Sequence, residues 1–256
     1  MIVTALGTAS GTDQLAPTSS FLIDADTLLD CGSGAETLSI ESMLHIERVL
    51  LTHSHLDHCS ALPALLACHA AHGGTGITVH TQLETIDALY AKLFNDQDYP
   101  NYTQLKTAGG DPLLRFNAIE VGDALPLPDG MATALPAQHN IPAVGWLVEG
   151  PWRALAYTGD TSLCPGFWHW ISNVPSISDI VCEITYPSSR SEQARAEGHM
   201  TPDQLLPMLA LVPPNVHIWI SHLGSADKEQ VLQELRQQAP VAVNIGELKV
   251  DTIIDL

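Results

Sequence analysis

Thr52-His53-Ser54-His55-Leu56-Asp57-His58 follows directly on the apolar run Arg48-Val49-Leu50-Leu51, placing three imidazoles and a carboxylate within six positions at a predicted strand end. Neutral imidazole and carboxylate form the donor set suited to Zn, Fe or Mn, and a turn can aim alternate residues at two adjacent cations. One cation would leave donors over, so the stretch predicts a site for two. The competing reading is a polar turn whose Asp57 caps the next helix, but such a turn has no use for three histidines.

Outward from this turn, short apolar segments bounded by turn residues predict strands at 1–6, 21–23, 27–29, 48–51, 77–80 and from Leu114 onward. A second set is predicted at 131–135, 143–148, 153–157, 180–183 and 217–221, without detectable internal repetition. Helices are predicted at 61–72, 81–93, 191–196, 201–211 and 228–238. The clearest helix start is Thr201-Pro202-Asp203-Gln204, where threonine caps, proline suits the first turn and Gln204 can close a capping box; this sets His199 just before a helix. Two packed sheets with helices outside fit both halves. The polar, punctuated stretch 95–111 reads as either a lid over a site or a surface loop.

The H-x-H-x-D-H turn after a strand resembles the signature of the metallo-β-lactamase superfamily. That resemblance spans nearly the whole chain and implies a four-layered αββα sandwich, an α/β fold, as one domain over 1–256. It also implies the remaining ligands: His139 in Gln138-His139-Asn140, Asp160 in Tyr157-Thr158-Gly159-Asp160 and His222 in Ile220-Ser221-His222-Leu223. By that analogy His53, His55 and His139 hold one divalent ion, Asp57, His58 and His222 the other, and Asp160 bridges them; zinc is the expected metal, with iron or manganese as alternatives. A narrower likeness links His53 to His58, Leu62-Pro63, Cys182-Glu183-Ile184-Thr185-Tyr186-Pro187 and Gly198-His199-Met200-Thr201-Pro202 to the class II cyclic nucleotide phosphodiesterases. Cys59, where an aliphatic residue is usual, and Ala61, where glycine or serine is common, are small departures. The Glu183 and His199 motifs also look like those of RNase Z, the tRNA 3′ endonuclease of the superfamily.

A phosphodiester needs a nucleophile, charge neutralisation and a proton for the departing alkoxide. Two cations would supply the first two, with Asp57 among the catalytic side chains. The proton falls to His199, oriented and held charged by Glu183. The expected activity is hydrolysis of 3′,5′-cyclic AMP or cyclic GMP to the 5′-monophosphate. The alternatives are an RNase Z-like endonuclease, a lactone or thioester hydrolase, and a diiron redox protein of the same fold.

Charge and composition narrow the partners. Lys+Arg 10 against Asp+Glu 29 leaves −19, with no basic cluster or arm to hold a polyanion, so long nucleic acid is not expected as a substrate. With 45% hydrophobic and 15% charged residues and no apolar run near the length of a membrane span, coiled-coil, collagen-like, disordered and membrane classes are excluded. The expected partner is a small cyclic nucleotide, with no membrane; a homodimer is the one assembly considered. Five scattered cysteines without a C-x-x-C pair, and an N-terminus without a basic leader, predict a reducing, cytoplasmic setting. His45, His69, His72, His80, His169 and His217 lack partners at ligand spacing and read as surface or packing residues. Gly7-Thr8-Ala9-Ser10-Gly11 reads as a turn ahead of a phosphate cradle. Trp146, Trp168, Trp170, Tyr99 and Tyr102 read as packing residues ahead of a base-stacking role.

Overall fold

Strands whose central members are mostly buried form two sheets, with exposure gathered in the edge strands. The structure, a computed structural model, describes residues 1–11, 16–213, 215–240 and 243–256. The first sheet is built from β1 (Ile2–Gly7), β2 (Ser20–Ile23), β3 (Thr27–Cys31), β4 (Arg48–Leu50), β5 (Ile77–Thr81) and β6 (Leu114–Ala118), side by side in that order. The second holds β7 (Ala124–Leu127), β8 (Gly130–Pro136), β9 (Val144–Glu149), β10 (Ala154–Tyr157), β11 (Ile177–Glu183), β12 (His217–Ser221) and β13 (Asn244–Glu247), again in order. The last strand, β14 (Ile253–Asp255), returns to the first sheet outside β1.

Helices cover the outer faces: α1 (Ile40–His45), α2 (Leu56–Cys59), α3 (Leu62–His72) and α4 (Leu83–Lys92), then α5 (Pro165–Ile171), α6 (Ser191–Glu197), α7 (Pro202–Met208) and α8 (Lys228–Gln238). Three buried apolar clusters record the layering. Val49, Leu51, Leu62, Leu65, Leu66 and Leu89 pack the first sheet on its helices. Phe21, Leu29, Leu50, Ala134, Trp146 and Leu155 fill the space between the sheets. Phe167, Trp168, Ile180, Ile218, Leu205 and Leu232 join the second sheet to α5, α7 and α8. The result is the αββα sandwich expected.

Strand direction places the site. β3 through β6 are parallel neighbours, as are β10 through β13. Asp30 lies in β3 and Glu183 closes β11, while the segment 52–58, Asp160 and His222 follow β4, β10 and β12, so the candidate residues collect at the carboxyl ends of parallel strands. Open α/β sheets offer their ligand crevice there.

Three strands and three helices escaped the pattern reading. β7 carries Pro126 and sits at a sheet edge, where a missing N–H costs no ladder bond; β13 is a polar edge and β14 only three residues long. α1, α2 and α5 are one or two turns long, too short for a helical period to show. α7 starts after Thr201, whose N–H donates to Gln204 Oε1 at 3.3 Å, and gives way at Leu209 to a 3-10 turn. The stretch 95–111 is a surface element: Tyr102 is buried edge-on against Phe94, and none of its residues lines the cavity described below.

Candidate metal centre

Seven side chains from both sheets converge at one end of the sandwich, and hydrogen bonds around them decide which atoms point inward. His58 Nδ1 faces Asp30 Oδ2 at 2.7 Å, so that nitrogen carries the hydrogen and Nε2 is left for a ligand. Thr52 Oγ1 donates to Asp30 and therefore accepts from His53 Nδ1 at 2.9 Å, which frees His53 Nε2. His139 Nδ1 donates to the carbonyl of Gly198 at 2.9 Å, freeing its Nε2. Thr185 Oγ1 donates to Glu183 Oε2 at 3.0 Å and accepts from His222 Nδ1 at 2.9 Å, again freeing Nε2. Ligating imidazoles are ordinarily oriented by such partners.

The freed atoms meet in two groups. His53 Nε2 and His139 Nε2 each lie 3.1 Å from His55 Nδ1, with Asp160 Oδ2 at 3.5 Å from His53 and 3.9 Å from His139. On the other side Asp57 Oδ2 is 3.1 Å from His222 Nε2, and Asp160 Oδ1 is 3.1 Å from His58 Nε2 and 3.4 Å from His222 Nε2. The two oxygens of Asp160 thus face one group each. His58 Nε2 and Asp160 Oδ1 are sealed from solvent and make no hydrogen bond of proper geometry. Burying such atoms unpaired is costly, and a cation shared by each group would satisfy them. The donor set therefore fits one divalent ion held by His53, His55, His139 and Asp160, and a second held by Asp57, His58, Asp160 and His222.

Electrostatics agrees. Burial, reinforced by neighbouring imidazoles, pushes His53 well below its ordinary value, and burial likewise lowers His55 and His139, leaving all three neutral and ready to ligate. Burial opposes the charge on Asp160, yet the surrounding imidazoles of His222, His58 and His53 hold its carboxyl well below the usual range. For His58 burial is outweighed by Asp160 and Asp30, which raise it strongly. A proton there occupies the position of cationic charge that a metal would take.

Glu183 and His199 stand beside this centre. Glu183 Oε1 accepts from His199 Nδ1 at 3.0 Å and from the backbone N–H groups of Thr161 and Met200, which fix the carboxylate. Burial would lower His199, but the Glu183 carboxylate carries it up to about 9. The ring stacks on His222 with centroids 5.3 Å apart and lines a cavity of about 520 Å³ together with His55, Asp57, Asp160 and His222. With Nδ1 engaged, Nε2 is the nitrogen able to present a proton there. The far wall carries Tyr186 and Arg190, whose guanidinium lies 4.3 Å above the tyrosine ring and bonds Asp227, while the Tyr186 hydroxyl donates to Glu197.

Two site residues have a strained backbone. His222 (φ 59°) and Asp30 (φ 56°) are left-handed at strand ends, a conformation uncommon outside glycine. Gly159 (φ 57°), just before Asp160, is obligatory for a second reason: a Cβ would come within 2.9 Å of Thr52 Cγ2. The segment 7–11, read as a plain turn, borders the site: Gly11 N–H donates to Asp57 Oδ2 at 2.9 Å, and Thr8 O accepts from His222 N–H. Of the other histidines, His69 is buried against Met43 O and His217 stacks on Trp219. Trp146 and Trp168 are core residues, and none of the five aromatics named above lines the cavity.

All nine predicted site residues come together, and the structure adds Asp30, Thr52 and Thr185 as the groups that orient them. A signal for Asp30 existed: a carboxylate inside the apolar run Leu28-Leu29-Asp30-Cys31 has to be paired when buried.

Residues 23–222 match the family described as the β-lactamase superfamily domain. A ribonuclease BN of Salmonella typhi is 24% identical over 275 residues, spanning 88% of this chain and 87% of that enzyme. Among solved structures, unliganded yeast PDE1 superposes with a TM-score of 0.82 at 16% identity over 100% of this chain and 99% of that one. The metallo-β-lactamase fold protein YhfI of Bacillus subtilis gives 0.78 at 16% identity over 99% and 98%. The short form of human tRNase Z gives 0.67 at 18% identity over 100% and 99%. At these identities the superpositions show the shared fold.

Proposed function

The chain belongs to the metallo-β-lactamase superfamily and is a hydrolase of that fold, and from this premise we propose that it is a dinuclear metal-dependent phosphodiesterase acting on 3′,5′-cyclic nucleotides. The observation that carries the reading is the His199–Glu183 pair at 3.0 Å beside the ligand cluster. When bound, two divalent cations would supply an activated water and neutralise charge on the phosphate oxygens. What they do not supply is the proton that a departing ribose alkoxide requires. His199 holds one on Nε2 because Glu183 occupies Nδ1 and favours the imidazolium, and Thr161 and Met200 N–H keep that carboxylate from swinging away. A lactone or thioester has less need of such a donor.

Small size is favoured over an RNA chain. The sequence likeness to a ribonuclease and the superposition on a tRNase support a nuclease as the second reading, and both sites would share the same residues. Against it stand a formal charge of −19 and a cavity whose single Lys or Arg among the described residues is Arg190. The longest irregular stretch among the described residues, 93–113, carries one lysine, Lys106, and is tied to the body by backbone bonds from Ile77 N–H to Leu113 O and from Leu114 N–H to Tyr102 O. Metal-loaded protein incubated with 2′,3′- and 3′,5′-cyclic nucleotides, a tRNA precursor, a lactone and a glutathione thioester should turn over the 3′,5′-cyclic nucleotides to 5′-monophosphates. Efficient cleavage of the tRNA precursor with no cyclic nucleotide turnover would hand the assignment to the nuclease.

A further inference from the structure

His55 lines two cavities. One is the metal cavity; the other, about 290 Å³, runs from Ser54, His55 and Leu56 to Ala88, Leu89, Lys92 and Leu93. Their walls differ in kind. The metal cavity is faced by carboxylates, hydroxyls and imidazoles, whereas the second is lined largely by leucine and alanine, with the exposed Lys92 on its border. Leu56 is the odd member of the ligand turn, 62% exposed while His53 and His58 beside it are sealed. Helix α4 supplies the opposite wall: Leu89 faces the core, and Ala88 and Lys92, four residues apart, share the border of the groove. Among the described residues no carboxylate pairs with Lys92, in a chain of net charge −19.

Resting on the phosphodiesterase reading, we propose that this groove is the base subsite, holding the nucleobase of the substrate against Leu56, Leu89 and Leu93 while Lys92 donates to a ring acceptor. A flat ring with an apolar face and acceptor atoms at its edge matches a leucine floor with one donor at the rim. Both cavities border His55, so a small molecule that reaches past its ring would contact both. The volume lies at the small end of ligand pockets, roughly 300 to 1,000 Å³, which suits one ring system and not a run of nucleotides. Ala88 is what leaves the space open.

The test compares substrates with and without a base. In Ala88→Trp, which fills the groove, the ratio of kcat/KM for 3′,5′-cyclic AMP to that for methyl p-nitrophenyl phosphate should fall at least about tenfold, mostly through KM, with metal content retained. Lys92→Ala should lower the same ratio less. By calorimetry, adenosine 5′-monophosphate should bind the wild type at least about tenfold more tightly than ribose 5-phosphate, and Ala88→Trp should erase that difference. A ratio unchanged within twofold, or equal binding of the two phosphates by the wild type, would overturn the base subsite alone. Failure of the wild type to hydrolyse either diester would overturn the phosphodiesterase reading, and the binding comparison would still decide the groove.

Discussion

His199 and Asp30 do opposite kinds of work, and single substitutions separate them. His199 lies beside the ligand groups and is fixed by Glu183, so His199→Ala should keep its metal while slowing hydrolysis of a cyclic nucleotide by roughly 10²- to 10⁴-fold, the usual worth of a general acid. With bis(p-nitrophenyl) phosphate, whose phenolate leaves with little help, the loss should be far smaller. Equal losses on both substrates would make His199 a binding residue, and loss of metal would make it a ligand. Asp30 touches no substrate; it accepts from His58 Nδ1, Thr52 and the Tyr157 hydroxyl. Asp30→Asn removes the charge that keeps the hydrogen on His58 Nδ1, and metal affinity should drop about 10- to 100-fold. Competition against a chromophoric chelator measures this directly, and an unchanged affinity would show that His58 is oriented by packing alone. Asp160, with one oxygen toward each group, should be the residue whose replacement by alanine empties both positions, read as metal content of the purified protein.

Helix ends and strand ends carry these residues, and their backbone geometry is part of the site. α6 closes on Gly198 in the left-handed region at φ 79°, and a Cβ there would lie 2.7 Å from His139 Nδ1 and from Asn140 N. Gly198 O is also the acceptor that sets the His139 tautomer. Gly198→Ala should therefore cost about 1 kcal/mol or more of stability and weaken metal binding at the His139 side, seen in denaturant titration and metal content together. A variant that is destabilised yet binds metal normally would confine the role of Gly198 to the helix cap. At this scale the sequence was partly legible. The start of α7 after Thr201 showed because a cap and a proline are local signals, whereas β13 and β14 did not, because one is a polar edge strand and the other is three residues long.

Across the whole molecule the metal centre ties the two sheets, since His53, His55, Asp57 and His58 come from the first and His139, Asp160 and His222 from the second. Chelation should lower the melting temperature. Ligand binding at one hundred times its dissociation constant stabilises by about 2.7 kcal/mol, or roughly 5–11 °C for a chain of this size, and adding metal back should restore it. Calorimetric scans with and without chelator measure the shift, and coincident transitions would mean the sheets hold together without the ions. Most strands and helices and the ligand turn were legible in the amino-acid sequence, because periodicity, caps and a dense donor cluster are properties of neighbouring residues, whereas His139, Asp160 and His222 were expected only through the resemblance to the family. Tertiary structure alone decided which oxygen of Asp160 faces which group, which nitrogen each histidine presents, and that Asp30, Thr185 and the Leu56 groove belong to the site. Those facts depend on hydrogen bonds and contacts between segments far apart in the chain, 165 residues for His222 and Asp57, and such distances exist only once the two sheets have packed.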